Sequence, residues 1–163
     1  MTEANARAVV ERSRVRVEAL PGRTKAVTLP LLSEPVLMGV HGPVAAHYKV
    51  PMDEVEPRTT TLDYLVGAAV GCLTGTFAGM LAALGQRTAD GALVAEGEST
   101  IVSDGGVLRI AAIAVHYALR LDAAVDEQAV RRAHDRHLRH CPIAHSIGGC
   151  IEFTSHLNIE RGQ

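Results

Sequence analysis

The stretch Leu62-Asp63-Tyr64-Leu65-Val66-Gly67-Ala68-Ala69-Val70-Gly71-Cys72-Leu73-Thr74-Gly75-Thr76-Phe77-Ala78-Gly79-Met80-Leu81-Ala82-Ala83-Leu84 decides the fold. It is apolar nearly throughout. Thr60 or Thr61 supplies a helix cap, Asp63 in the first turn complements the helix dipole, and Gly85-Gln86-Arg87 closes the segment. Gly67, Gly71, Gly75 and Gly79 recur every fourth residue, so they fall on one slowly rotating stripe. Each costs about 0.5–1 kcal/mol against alanine within a helix. Four of them imply a compensating gain, which close approach of a second backbone would provide. A membrane span of this length is conceivable, but glycine and alanine dilute its apolarity and no basic flank sets an orientation. A buried central helix is the expectation.

Working outward, both flanks read as sheet. Val15, Val17 and Ala19 alternate with Arg16 and Glu18 as a half-buried strand. Pro21-Gly22 marks a turn, and Lys25 to Leu32 reads as the second arm of a hairpin. Ser33 to Thr61 carries Pro35, Pro43, Pro51 and Pro57, and is expected as a long irregular connection with one short strand at Val36 to Val40. Beyond the helix, Leu93 to Val102 and Val107 to Leu121 read as strands joined by a turn at Asp104-Gly105-Gly106. Asp126 caps a second helix, Glu127 to His140, which Pro142 stops. Gly148-Gly149 turns into a last strand, Cys150 to Ile159. The order predicts an α+β fold with antiparallel pairing, as a single domain over residues 1–163 in which 1–13 form a loose N-terminal extension.

Composition excludes several functions. The chain has 163 residues, 47% hydrophobic and 21% charged, with a net charge of −2. That is an ordinary globular balance, and it offers no electrostatic footprint for nucleic acid or an anionic membrane. Aromatics are only 3%, so base-stacking platforms and aromatic cages are not expected. Met1 to Leu20 mixes acids and arginines with no apolar run, unlike a signal peptide. Three cysteines are an odd number for a secreted disulfide framework, which points to a cytoplasmic protein.

The thiols therefore need separate explanations. Cys72 lies near the middle of the apolar helix, one residue after Gly71. Cys141 precedes Pro142; if Pro142 opens a short helix through Ile147, the Cys141 sulfur sits at its positive end, where a thiolate is favoured. Cys150 shares the polar face of the last strand and reads as a bystander. The segment from Thr60 to Thr74 resembles the central helix of the OsmC/Ohr family, the osmotically inducible and organic-hydroperoxide-resistance proteins, where an acidic residue precedes a cysteine in an Ala/Gly-rich helix. Arg139-His140-Cys141-Pro142-Ile143-Ala144 resembles the family's second signature, and the 69-residue separation of Cys72 and Cys141 matches its pattern.

That resemblance implies an OsmC-like fold, with curved antiparallel sheets around a buried central helix in an intertwined homodimer. It also implies a peroxidase for organic hydroperoxides in oxidative-stress defence. Cys72 would attack the hydroperoxide and become a sulfenic acid, Cys141 would resolve it as a Cys72–Cys141 disulfide, and an external dithiol would reduce the bond. No cofactor or metal is implied. An arginine activates the thiol in the family, oriented by an acidic residue; Arg23 in the Pro21-Gly22-Arg23-Thr24 turn and Asp63 match those places, with Arg58 and Arg16 as rivals. Thr60-Thr61-Leu62-Asp63 replaces the family's Asn-Pro-Glu-Glu/Gln stretch. The alternative is a binding or regulatory protein on the same fold with little peroxidase activity. His134, His137, His140 and His145 are clustered, but their helical spacing spreads them too widely for one tetrahedral ion; His137 is expected to turn inward.

Overall fold

The turn at Pro21-Gly22 forms as its residues require. Gly22 and Arg23 both take positive φ, 67° and 63°, and the Leu20 amide donates to the Thr24 carbonyl at 2.8 Å. This turn joins Arg16–Ala19 (β1) to Lys25–Thr28 (β2). The computed structural model describes residues 8–53 and 55–161, and the chain divides into two compact units that meet between Thr61 and Leu62. Residues 1–7 of the expected N-terminal extension lie outside the described residues; 8–13 are exposed and form no regular element.

In the first unit Val36–Met38 (β3) completes an antiparallel sheet in the order β1-β2-β3. Every residue of β1 is exposed, so the half-buried strand expected there is corrected: within this unit the alternation of Val15, Val17 and Ala19 faces no packed layer. The connection from Ser33 to Thr61 is also less irregular than expected. It contains a helix, Gly42–His47 (α1), started by Pro43 in its first turn, and Ala45 packs with Val40 and Val50 in a small core of its own. Gly39 bridges Thr60, and Arg58 lies across that glycine, where a β-carbon would stand 2.8 Å from Arg58 Cβ.

The apolar stretch forms a single helix, Thr61–Ala83 (α2). It ends at Gly85, which takes φ 79°, and the Gln86 amide then caps the Leu81 carbonyl at 3.0 Å. Its length and apolar composition, with a mean hydropathy of 1.7, would suffice for a membrane span. Here one stripe, Ala69, Leu73, Phe77 and Leu81, is instead buried against a sheet. The expected buried central helix is covered along this one stripe within the chain. Gly67, Gly71, Gly75 and Gly79 each sit two residues, or about 200°, round the helix from the buried stripe, and all four are exposed.

That sheet contains Leu93–Asp104 (β4), Val107–Leu121 (β5) and Glu152–Arg161 (β6). Gly105 and Gly106 both take positive φ, as a two-residue hairpin turn demands, and β4 pairs antiparallel with β5. β6 joins on the other side of β5, parallel to it, which corrects the expectation of antiparallel pairing throughout. The cause is the crossover: Glu127–His140 (α3) and Pro142–Ile147 (α4) carry the chain back so that β6 starts from the same end as β5. From Ile113 onward β5 alternates, burying Ile113, Val115, Tyr117, Leu119 and Leu121 beneath the helices. Helix and sheet approach closely at Gly97 of β4, where a β-carbon would stand 2.4 Å from Val70 Cγ2. Asp126 caps α3 as expected, accepting from the amides of Gln128 and Ala129.

Candidate functional site

Cys72 is half-buried on α2, and Cys141 is wholly buried at the junction of α3 and α4. Both face the core of the second unit, and they are neighbours there. The junction follows from local sequence: Pro142 cannot extend α3, yet its fixed φ suits the first position of α4, so Cys141 ends one helix and caps the next. Its sulfur accepts the Ala144 amide at 3.5 Å. The short helix is therefore where the sequence puts it, but the expected preference for a thiolate at Cys141 is reversed. Burial holds this thiol above its ordinary pKa, the Ala144 amide works against that, and the neighbouring Cys72 adds to the rise. Cys150 is exposed, its thiol directed to the Ile147 carbonyl at 3.2 Å.

Asp63 is half-buried in the first turn of α2, beside a groove lined by Val66, Gly67, Val70, Gly97 and Ser99. Nine residues separate it from Cys72 on the same helix, which is about 13 Å of rise and half a turn of phase, so α2 holds the two groups apart. The three candidate arginines belong to the first unit. Arg23 is exposed in the β1–β2 turn. Arg16 is also exposed and pairs with Glu18 at 3.2 Å. Arg58 is the most enclosed: its side chain is 25% exposed, it pairs with Glu56, and its Nε is buried without a hydrogen-bond partner.

A polar cluster that the sequence reading did not connect to the thiols packs beside them. His137 is fully buried, and Cys141 follows it by four residues, on the same face of α3. Its Nδ1 lies 2.5 Å from the His134 carbonyl oxygen, which can only accept, so Nδ1 carries the proton. Nε2 is then the acceptor for the Tyr117 hydroxyl at 3.2 Å. The His134 ring stacks on His137 with centroids 5.0 Å apart and reaches Ser155 Oγ at 3.0 Å, while Phe77 covers Tyr117 and both imidazoles. Burial lowers both histidines below the ordinary value. Burial also pushes Tyr117 up to about 12, a hydrogen bond from Thr74 opposes this, and the nearby Cys141 adds to it. The inward turn of His137 was legible from helical spacing; its union with Tyr117 needed the pairing of β5 with the helix layer. His140 and His145 are exposed, and among the described residues no three metal-binding side chains converge.

A sheet-and-helix α+β protein with two thiols meeting in its core is thus defined by fold and site together. Solved structures share this architecture. An OsmC-like protein from Mycoplasma pneumoniae superposes with a TM-score of 0.71 at 10% identity, covering 93% of this chain and 99% of that one. The organic hydroperoxide resistance protein OhrB of Bacillus subtilis gives 0.63 at 13% identity, covering 92% and 100%. An organic hydroperoxide resistance protein OsmC from Legionella pneumophila gives 0.64 at 9% identity, covering 93% and 99%. No curated protein matches the sequence. The chain belongs to the family of OsmC-like proteins, whose sequence pattern matches residues 52–156.

Proposed function

We propose that this protein is a thiol-dependent peroxidase that reduces organic hydroperoxides in a reducing, cytoplasmic setting. The observation that carries the reading is the meeting of Cys72 and Cys141 across two helices 69 residues apart in sequence. The Cys72 thiolate attacks the distal oxygen of the hydroperoxide; the O–O bond breaks, the alcohol leaves as alkoxide and takes a proton, and Cys72 becomes a sulfenic acid. Cys141 then displaces water to form the disulfide, and an external dithiol restores both thiols. A buried, protonated Cys141 suits a resolving thiol, because it does not compete with Cys72 for the hydroperoxide. Arg23 is proposed to activate the Cys72 thiol, with Asp63 orienting the arginine rather than touching the sulfur; Leu73, Phe77 and Met80 make the surroundings of Cys72 apolar, which would favour an organic substrate and which core packing explains equally well. The exposed glycine face of α2 supports pairing with a second copy of the chain. No resident cofactor or metal enters this chemistry.

The test mixes reduced protein with one equivalent of cumene hydroperoxide and maps disulfides by mass spectrometry. A Cys72–Cys141 bond is expected within seconds. Cys72→Ser should leave the hydroperoxide unconsumed, and Cys141→Ser should accumulate sulfenic acid. Unreacted thiols in the native protein would overturn the reading.

A further inference from the structure

The outer face of the second sheet carries a row of residues that the thiol chemistry does not use. Glu96 of β4 pairs with His116 of β5, and His116 pairs with His156 of β6. Residues paired across strands share a face, so one carboxylate and two imidazoles stand side by side. All three residues are exposed, whereas Val115 and Tyr117, the chain neighbours of His116, are buried on the opposite face. The two imidazoles lie flat on each other, with centroids 4.8 Å apart and planes 15° apart. On β5 the next residues of this face are Ala114 and Ala118, whose small side chains leave room beside His116. Glu98, paired with Ala114, adds a second carboxylate on the diagonal. Arg120 lies further along the same face, but its guanidinium donates to the Asp90 carbonyl at 2.6 Å.

We propose that His116 and His156 form a binding site for a divalent transition-metal ion such as Ni²⁺, Cu²⁺ or Zn²⁺, with Glu96 as a positioning residue for His116. Imidazole nitrogens bind such ions at about 2.0–2.1 Å, so two of them stand roughly 3 Å apart around the ion. Rings already in register need only a modest rotation to reach that spacing. The ion takes two protein ligands and water completes its shell, in keeping with the absence of any three-residue cluster among the described residues. Glu96, on the other side of His116, accepts its second ring N–H and fixes the tautomer that leaves a lone pair for the ion. Imidazole selects these ions over Mg²⁺ and Ca²⁺, which prefer oxygen. A bound ion ties β5 to β6, two strands otherwise joined in the chain only through the crossover of α3 and α4. The site is independent of the peroxidase reading, because Cys72 and Cys141 face the core beneath the opposite face of the sheet.

The experiment titrates Ni²⁺ into the full chain, with exposed Cys150 blocked by iodoacetamide, and follows affinity by calorimetry and position by the imidazole signals in NMR. Paramagnetic broadening should reach His116 and His156 before the other histidines, and the same addition of Mg²⁺ should change nothing. Loss of an outer-shell partner costs roughly 10- to 100-fold in metal affinity, and loss of a ligand at least that. His116→Ala and His156→Ala should therefore each weaken binding by about 10-fold or more, Glu96→Gln by about 10-fold, and His145→Ala not at all. Saturating Ni²⁺ should raise the Tm of the native protein and leave that of His116→Ala unchanged. The broadening is read on the native protein, so it stands even if a variant fails to fold. A pair held together by ring packing alone predicts no response to the ion. Broadening that begins at other histidines, or native affinity in both histidine variants, would overturn the site.

Discussion

At the scale of single residues, burial decides protonation more strongly than local helix electrostatics. Cys141 caps a helix, yet its thiol is held above the ordinary value of 9.0 because desolvation outweighs one amide contact. Iodoacetamide should therefore label exposed Cys150 well before Cys141 in the reduced protein, and Cys141 labelling should keep rising above pH 9; equal rates measured by peptide mass would contradict this. His134 and His137 titrate below their unfolded value of 6.5, so the unfolded chain takes up protons first as pH falls. Their stability contribution is complete above about pH 6.5 and is lost below it. Urea midpoints should drop between pH 7.5 and pH 5.5, with a smaller drop in His137→Phe. Tyr117 acts at the other extreme: its pKa, raised to about 12, costs stability as pH climbs past the unfolded value of 10.0. These protonation states were not legible in the sequence, since each depends on what covers the side chain.

At the scale of elements, much was legible because caps and breakers act locally. Asp126, Gly85, Pro142 and the Gly105-Gly106 turn stop or start their elements as their chemistry requires. Removing the α3 cap with Asp126→Ala should cost about 1 kcal/mol in chemical denaturation. What was not legible was which face of α2 is covered. Apolar residues lie all round this helix, so no period marks the inward stripe, and the glycines that seemed to demand a close neighbour are exposed within the chain. The glycine under real pressure is Gly97 on β4, which lets Val70 of α2 approach the sheet. Gly97→Ala forces a stiff β-branched side chain aside and should destabilise by about 1–3 kcal/mol. Gly75→Ala meets open space in the chain, so it should stabilise a monomer by about 0.5–1 kcal/mol.

At the scale of the whole molecule, the exposed glycine face of α2 leads to an association prediction that follows from the proposed homodimer. Small residues allow two helices to approach closely, so Gly71→Leu and Gly75→Leu should shift the native protein toward monomer in analytical ultracentrifugation, while Gly67→Ala should do so less. A monomeric native protein would remove the basis for that expectation. By itself the sequence determined the α+β class, most element positions and the family pattern, because these rest on local spacing, caps and turn chemistry. Only the tertiary structure decided the parallel entry of β6, the half-covered α2, the protonated Cys141 and the Tyr117–His137 pair beside it. The reason is physical: strand direction depends on how a crossover returns, and the ionisation of a side chain depends on what covers it and on neighbours far away in sequence, as Cys72 is from Cys141.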